Sequence, residues 1–237
     1  MFENKRLAVI GGTSGIGLRV AERVLADGGE IVIGGRDAKR LEEALHKLGP
    51  KACGHLVDNR DQSSLRDFFR TAGPIDLLFT PGASYSRGRI DEVSDEVAES
   101  SFKSKFWGQY YAVKHALSFL SKDAAIVLMA GAYSVRPAPN GAAYGACNAA
   151  LEGLGRALAV ELAPIRVNVV SPGTIDSELW KRQPDAVRQD AFRSYGEVAL
   201  LKRVGTTDEV AEAVLFLLSN GYMTGSTLYP DGGFALR

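Results

Sequence analysis

The sequence predicts an α/β fold, with one doubly wound parallel sheet and helices on both of its faces. Short runs of apolar, mostly β-branched residues alternate with segments of helical period along nearly all 237 residues. These runs are almost continuously apolar, as expected for parallel strands that helices cover on both sides. Because no linker or internal repeat divides the chain, residues 1–237 are predicted to form a single domain.

Seven strands are predicted, one at each apolar run: residues 7–10, 31–34, 55–57, 77–80, 126–129, 166–170 and 226–228. Between the strands, apolar residues recur at helical spacing, as Ile16, Val20 and Val24 do after the first strand. Two long helices are predicted near residues 95–120 and 144–163.

A long irregular stretch is predicted at residues 174–201, and it contains the aromatic residues Trp180, Phe192 and Tyr195. Ligands of doubly wound sheets bind beyond the carboxyl ends of the strands. The stretch is therefore a candidate substrate lid.

The charges are balanced, with 28 Lys plus Arg and 28 Asp plus Glu, and give no reason to expect nucleic acid as a partner. No apolar run approaches the length of a membrane span, and no secretory leader is recognisable. Cys53 and Cys147 have no metal-ligand spacing, and the three histidines are scattered. We therefore expect a cytoplasmic protein with reduced thiols, no membrane association and no metal site.

A glycine-rich loop directly follows the first strand and opens the first helix, and it reads Gly11-Gly12-Thr13-Ser14-Gly15-Ile16-Gly17. In this context the first glycine permits a tight turn, Gly15 lets backbone approach a pyrophosphate, and Gly17 lets helix and strand pack closely. The free N–H groups of the helix then face the phosphates. The loop predicts a dinucleotide site of the Rossmann type, the alternative being a purely structural turn.

The end of the second strand, Gly34-Gly35-Arg36-Asp37, bears on the choice of dinucleotide. NAD sites usually offer an acid there to the ribose 2′-hydroxyl, whereas a 2′-phosphate needs a cation. Gly35 in the acid's place and Arg36 beside it favour NADP(H). In the alternative interpretation Asp37 binds the ribose, Arg36 is solvated and the cofactor is NAD(H).

Together with motifs further along the chain, these residues resemble the short-chain dehydrogenase/reductase family. The motifs cover nearly the whole chain and include Val57-Asp58, Tyr144, Ile165-Arg166-Val167-Asn168, Ser171-Pro172-Gly173, Arg203-Val204-Gly205, Thr224-Gly225 and Asp231-Gly232-Gly233. The resemblance implies an oxidoreductase that moves a hydride between a nicotinamide and a small carbonyl or alcohol substrate. It also implies a homo-oligomer, a dimer or tetramer, built on the two long helices.

The resemblance further implies a set of cofactor contacts. Asp58 would hydrogen-bond the adenine, and the backbone of Ile175 would meet the nicotinamide carboxamide. Ser177 would help to hold the nicotinamide end. Gly82, Pro172 and Gly173 would line the same site.

The family's catalytic Asn, Ser, Tyr and Lys are only partly present. Tyr144 occupies the Tyr position, but Asn148 stands where the family has Lys, four residues later on the same helix face. Gly131 stands at the Ser position and Lys105 at the Asn position. The Lys and Asn have thus exchanged places.

This exchange suggests a swapped proton relay, in which Lys105 reaches Tyr144 or the ribose while Asn148 still donates to the ribose. The alternative is that Lys105 is a solvated helix residue and Asn148 has no role. Ser134 or Tyr133, on the loop after Gly131, would replace the missing Ser hydroxyl, unless both side chains face solvent.

Two functions follow from these observations. The first is an NADP(H)-dependent oxidoreductase that interconverts a carbonyl and an alcohol through a non-standard relay. The second is a catalytically inactive dinucleotide-binding homologue that acts as a sensor or scaffold, since membership of a fold does not establish activity. Another reaction in the same pocket, such as reduction of a double bond, is a third alternative.

Overall fold

The computed structural model describes residues 1–84 and 86–236, apart from the side chain of Leu179. Its main sheet has seven strands, all parallel, in the spatial order β3-β2-β1-β4-β5-β6-β9. They are β1 (Arg6–Ile10), β2 (Glu30–Gly35), β3 (Ala52–Leu56), β4 (Ile75–Thr80), β5 (Leu120–Met129), β6 (Arg166–Val170) and β9 (Thr227–Leu228). The chain order reverses between β1 and β4, which places a ligand crevice at the carboxyl ends of these strands.

The helices cover both faces of the sheet. They are α1 (Gly15–Ala26), α2 (Ala38–Leu48), α3 (Gln62–Ala72), α4 (Asp95–Ser101), α5 (Trp107–Ala116), α6 (Ala142–Glu161), α7 (Glu178–Lys181), α8 (Asp185–Val198) and α9 (Thr207–Ser219). Val20 of α1 and Val214 of α9 pack in one core cluster, and Phe68 of α3 and Leu151 of α6 pack in the other. The predicted doubly wound parallel sheet is confirmed.

The sequence located all seven strands of the main sheet, with small errors at their ends. The strand predicted at residues 55–57 lies at Ala52–Leu56, and β5 begins at Leu120 rather than at residue 126. The early part of β5 carries the polar Ser121 and the exposed Lys122 and Asp123, so the hydrophobic pattern does not mark it as a strand.

The predicted irregular stretch at residues 174–201 is largely regular, and this prediction was wrong. It contains α7 and α8, and its first residues form β7 (Ile175–Asp176), which pairs with β8 (Gly205–Thr206). Pro184 precedes α8 and Asp185 lies in its first turn, a combination that favours a helix start. The irregular segment at Pro172-Gly173 therefore ends where β7 begins.

The long helix predicted near residues 95–120 is three segments in succession, because a π-helical turn (Phe102–Phe106) separates α4 from α5. Within the described part of the chain, no helix has the length and apolarity needed to cross a bilayer. The same residues contain no group of three metal-binding side chains.

Candidate active site

A cleft of about 990 Å³ opens at the carboxyl ends of the parallel strands. The glycine-rich loop lies along it, together with Arg36, Asp58, Lys105 and Tyr144. The fold thus brings residues that are far apart in sequence into one cavity, at the edge where the strand order reverses.

The glycine loop needs its glycines for close backbone packing. Gly11 has φ +103°, and a Cβ there would lie 2.5 Å from the Cα of Gly82 on the loop after β4. A Cβ on Gly17 would collide with the carbonyl oxygen of Gly11. Gly15, by contrast, has φ +55° and only Ser177 within 4 Å, so its backbone faces open space in the cleft.

At the far end of the cleft, a side chain at position 35 would crowd Thr13. A Cβ on Gly35 would lie 2.5 Å from the Cγ2 atom of Thr13. Asp37 is engaged as the N-cap of α2, where it accepts a 3.0 Å hydrogen bond from the Arg40 backbone N–H. That bond holds the pKa of Asp37 below its usual range. Arg36 is exposed and lines the cleft.

Sequence reasoning missed several residues of this end. Arg40 and Arg60 also line the cleft, and Arg60 forms an ion pair of 2.6 Å with Asp58. Hydrogen bonding by Arg60 holds the pKa of Asp58 below its usual range. Asn59 donates from Nδ2 to the carbonyls of Gly82 and Ser104, both at 2.8 Å, and so ties the loop after β4 to the π-helical turn.

The catalytic end is organised around Tyr144 in the first turn of α6. A Cβ added to Gly131 would lie 3.3 Å from the Tyr144 hydroxyl oxygen and 3.4 Å from both amide atoms of Asn148. The position assigned to the missing Ser by spacing therefore faces the Tyr144 hydroxyl. The backbone of Gly131 is extended, at φ 176°, so no glycine is required there for conformational reasons.

Lys105 lies in the π-helical turn, and its side chain is directed into the protein. The residue is only 3% exposed, and its Nζ donates a 2.8 Å hydrogen bond to the carbonyl of Ala130. The ammonium lies 5.0 Å from the centroid of the Tyr144 ring. Lys105 is therefore not a solvated helix residue. π-Helical turns inside α-helices are frequent at functional sites.

Asn148 is fully buried, yet neither its amide nitrogen nor its amide oxygen has a hydrogen-bond partner among the described residues. An unsatisfied buried amide costs about 1–3 kcal/mol, so such groups normally meet a ligand or an ordered water. Both amide atoms lie close to Gly131, on the side of the Tyr144 hydroxyl. This placement fits a water or a polar ligand group beside the Tyr144 hydroxyl.

The two candidates for a replacement hydroxyl are placed differently. Ser134 donates to the carboxylate of Glu152, which also accepts from Ser171 and Tyr229, both at 2.8 Å. The structure thus does not bring Ser134 to Tyr144, because a buried carboxylate on α6 holds its hydroxyl. Tyr133 lines the cleft, with its ring centroid 5.6 Å from that of Tyr144.

The segment that follows β6 forms part of the wall of the cleft. Pro172, Gly173, Ile175 and Ser177 all line the cleft. The Gly173 N–H donates to the Pro230 carbonyl at 3.3 Å, which ties this segment to the C-terminal loop. The predicted cofactor contacts at these positions stay predictions, but the fold places all four residues along one wall.

The predicted lid contributes aromatic side chains to the same cleft. Trp180 and Tyr195 line it, while Phe192 packs against Trp180 at 5.5 Å between ring centroids. The hydroxyls of Tyr195 and Tyr133 lie 3.4 Å apart. Arg87, which sequence reasoning also missed, lies with its guanidinium carbon 5.5 Å from the Tyr133 ring centroid.

Comparison with known proteins gives a consistent result along the whole chain. A family model described as enoyl-(acyl carrier protein) reductase matches residues 11–235. Dehydrogenase/reductase SDR family member 4 of Caenorhabditis elegans is 34% identical, over 100% of this chain and 97% of that protein. The 3-oxoacyl-(acyl-carrier-protein) reductase FabG of Chlamydia muridarum is 30% identical, over 99% of both proteins.

Solved structures agree with this. A short-chain dehydrogenase/reductase of Brucella melitensis, described as a glucose/ribitol dehydrogenase, superposes with a TM-score of 0.92 at 30% identity, covering 98% of this chain and 97% of that one. A small-chain dehydrogenase in complex with NADPH superposes with a TM-score of 0.86, also at 30% identity, covering 99% and 100%.

Proposed function

Since the chain belongs to the short-chain dehydrogenase/reductase family of oxidoreductases, we propose that it is an NADP(H)-dependent enzyme that interconverts a carbonyl and an alcohol. One observation carries the proposal: the buried ammonium of Lys105 lies over the ring of Tyr144 inside the cleft of the glycine loop. A proton donor and a cation are thus adjacent where a bound substrate would react.

The residues present fit a dinucleotide. Gly11 and Gly17 allow the close backbone packing that shapes the loop, and Gly15 leaves its backbone open to a pyrophosphate. The buried amide of Asn148 needs a polar partner. When bound, the nicotinamide supplies or accepts the hydride at the substrate carbon.

The arrangement at Arg36 supports NADP(H) over NAD(H). Gly35 offers no carboxylate, Asp37 is engaged in capping α2, and Arg36 and Arg40 supply positive charge. A guanidinium binds a phosphate through parallel hydrogen bonds, so Arg36 would hold the 2′-phosphate. A structural relative is described in complex with NADPH.

In the direction of reduction, the Tyr144 hydroxyl donates its proton to the substrate oxygen. The Lys105 ammonium then stabilises the negative charge that develops on the phenolic oxygen. The amide of Asn148 would donate to a ribose hydroxyl of the bound cofactor or to a water that returns the proton. Because Gly131 supplies no hydroxyl, Tyr133 is the candidate second donor to the substrate oxygen.

A non-catalytic sensor of the dinucleotide is the second candidate. It is favoured by Gly131 and Asn148, the residues present at the positions that the resemblance to the family gives to the Ser and Lys of the reaction. In such a protein Lys105 and Tyr144 would contribute to binding alone.

The test combines binding and turnover. NADPH and NADH are titrated by fluorescence, and NADPH oxidation is then followed with a panel of ketones and aldehydes. We expect tighter binding of NADPH, turnover of some carbonyls, and a loss of at least about 100-fold in kcat for Tyr144→Phe with NADPH binding retained. Tyr222→Phe, at a fully exposed position, is the matched control. NADPH binding without turnover of any carbonyl would favour the sensor instead.

A further inference from the structure

We propose that Arg87 binds a carboxylate of the substrate, so that the preferred substrates are carbonyl compounds that also carry a carboxylate group. The inference rests on the proposed function, because it names the substrate class of the same cleft. Three features of Arg87 support it: its position, the aromatic walls around it, and the absence of an acidic partner within residues 1–84 and 86–236.

The position of Arg87 is beside the reacting end of the cleft. Its guanidinium carbon lies 5.5 Å from the ring centroid of Tyr133 and 5.7 Å from that of Tyr144. A substrate whose carbonyl oxygen meets the Tyr144 hydroxyl therefore lies next to this guanidinium. The charge is permanent, since arginine does not lose its proton in proteins.

Two nearby arginines are already paired with carboxylates. Arg60 is paired with Asp58 at 2.6 Å, and Arg89, two residues after Arg87, is paired with Asp91 at 3.0 Å. Among the residues that the structure describes, Arg87 forms no ion pair with a carboxylate. Arg87 is exposed and lines the cleft, and a guanidinium in this position attracts an anionic ligand.

The acidic residues that line the cleft do not neutralise it. Asp37 caps α2, Asp58 is paired with Arg60, and Glu178 is paired with Lys181 at 2.6 Å. Lys105 adds a positive charge, this one buried, at the same end of the cleft. The catalytic end is thus positive, which favours an acidic substrate over a neutral one.

Aromatic contacts hold the guanidinium in place and favour a flat ligand. Stacking on the Tyr133 and Tyr144 rings restricts Arg87, which lowers the entropy that is lost when a ligand binds. The hydroxyls of Tyr133 and Tyr195, 3.4 Å apart, are further donors nearby. Trp180 completes the wall. A flat organic acid fits this combination of rings and a planar guanidinium fork.

The experiment measures binding without turnover. Isothermal titration calorimetry on the NADPH-saturated protein compares 4-acetylbenzoate with 4-acetylbenzamide, which have the same ketone and ring but differ in charge. We expect the acid to bind the wild type at least about tenfold more tightly than the amide. Arg87→Gln should weaken the binding of the acid by about 10- to 100-fold and leave the affinity for the amide unchanged. Arg87→Lys should restore part of the preference.

Arg89→Gln is the matched control, because Arg89 is an exposed arginine of the same loop. It should leave both affinities unchanged, and circular dichroism should show that all variants are folded. Equal affinity of acid and amide for the wild type, no measurable binding of the acid, or an unchanged preference in Arg87→Gln would each overturn the proposal. So would a weakened affinity of Arg87→Gln for NADPH itself, since Arg87 would then contact the cofactor.

The outcome separates this inference from the proposed function. If 4-acetylbenzoate binds through Arg87 and neither it nor any other carbonyl is reduced, the carboxylate site stands and the oxidoreductase proposal fails. If acid and amide are reduced with equal kcat/KM in wild type and Arg87→Gln, the oxidoreductase stands and the carboxylate site fails.

Discussion

The ammonium of Lys105 lies 5.0 Å from the centroid of the Tyr144 ring, and a hydrogen bond to the Ala130 carbonyl holds it there. The two residues are 39 positions apart in the sequence. They meet because the π-helical turn that carries Lys105 packs against α6, which carries Tyr144. The contact joins a cation to the tyrosine for which we propose the proton transfer.

Replacement of Lys105 by methionine tests this contact. Lys105→Met keeps a long apolar stem and removes the charge, so it should lower kcat by at least about 100-fold while NADPH binding is retained. Lys103→Met is the control, because Lys103 is an exposed lysine of the same π-helical turn that pairs with Glu99. Steady-state rates and fluorescence titration of NADPH measure the two effects. Unaltered turnover in Lys105→Met would rule out the swapped relay.

A hydroxyl restored at position 131 should assist the reaction. Gly131→Ser and Gly131→Ala add the same Cβ, which must fit at 3.3 Å from the Tyr144 hydroxyl, so the pair differs only in the hydroxyl. We expect kcat of the Ser variant to exceed that of the Ala variant by at least about tenfold, since one donor to a developing oxyanion commonly contributes more than this. Equal kcat values would show that the reacting oxygen does not approach position 131.

Cofactor choice is expected to depend on Arg36. Arg36→Ala removes a guanidinium that would contact the 2′-phosphate, and should raise the Kd of NADPH by about 10- to 100-fold. The Kd of NADH should not change, and this titration on the same variant is the internal control. Fluorescence measures both values. If Asp37→Asn weakened the binding of NADH while Arg36→Ala left the Kd of NADPH unchanged, the cofactor would be NAD(H) and our proposal would be wrong.

The stability of the protein should respond to acid through Glu209. Hydrogen bonding to Arg203 lowers the pKa of Glu209 to about 2, below its ordinary value in the unfolded chain. A group whose folded-state pKa is lowered stabilises the fold above its unfolded pKa, and loses that contribution as the pH falls. Because both side chains are well exposed, Glu209→Gln should cost only about 0.5–1 kcal/mol at pH 7.

Urea unfolding at equal protein concentration measures this cost at pH 7 and again at pH 4. The difference between wild type and Glu209→Gln should be smaller at pH 4. Glu212→Gln is the control on the same helix, since its carboxylate is 3.8 Å from Arg23 and more exposed. A cost that stays constant between the two pH values would contradict the assignment.

Local patterns in the sequence were sufficient for the architecture and for part of the site. Apolar runs and helical periods depend on neighbours a few residues away, and they predicted the parallel sheet with all of its main strands. The glycine loop was predicted because its residues carry a backbone requirement in themselves. Family spacing brought Gly131 opposite Tyr144, as the structure confirms. The oligomeric state, the substrate and the cytoplasmic location stay predictions.

Side-chain direction and partners were decided by the tertiary structure alone. The sequence left open whether Lys105 is solvated, and packing against α6 buried it. The sequence left Ser134 as a candidate donor, but its hydroxyl donates to the carboxylate of Glu152, 18 positions later. Arg87 carried no signal at all, because its contacts with Tyr133 and Tyr144 join segments about 50 residues apart. Periodicity encodes which face of an element is buried, whereas the neighbour that a polar side chain meets depends on how distant elements pack together.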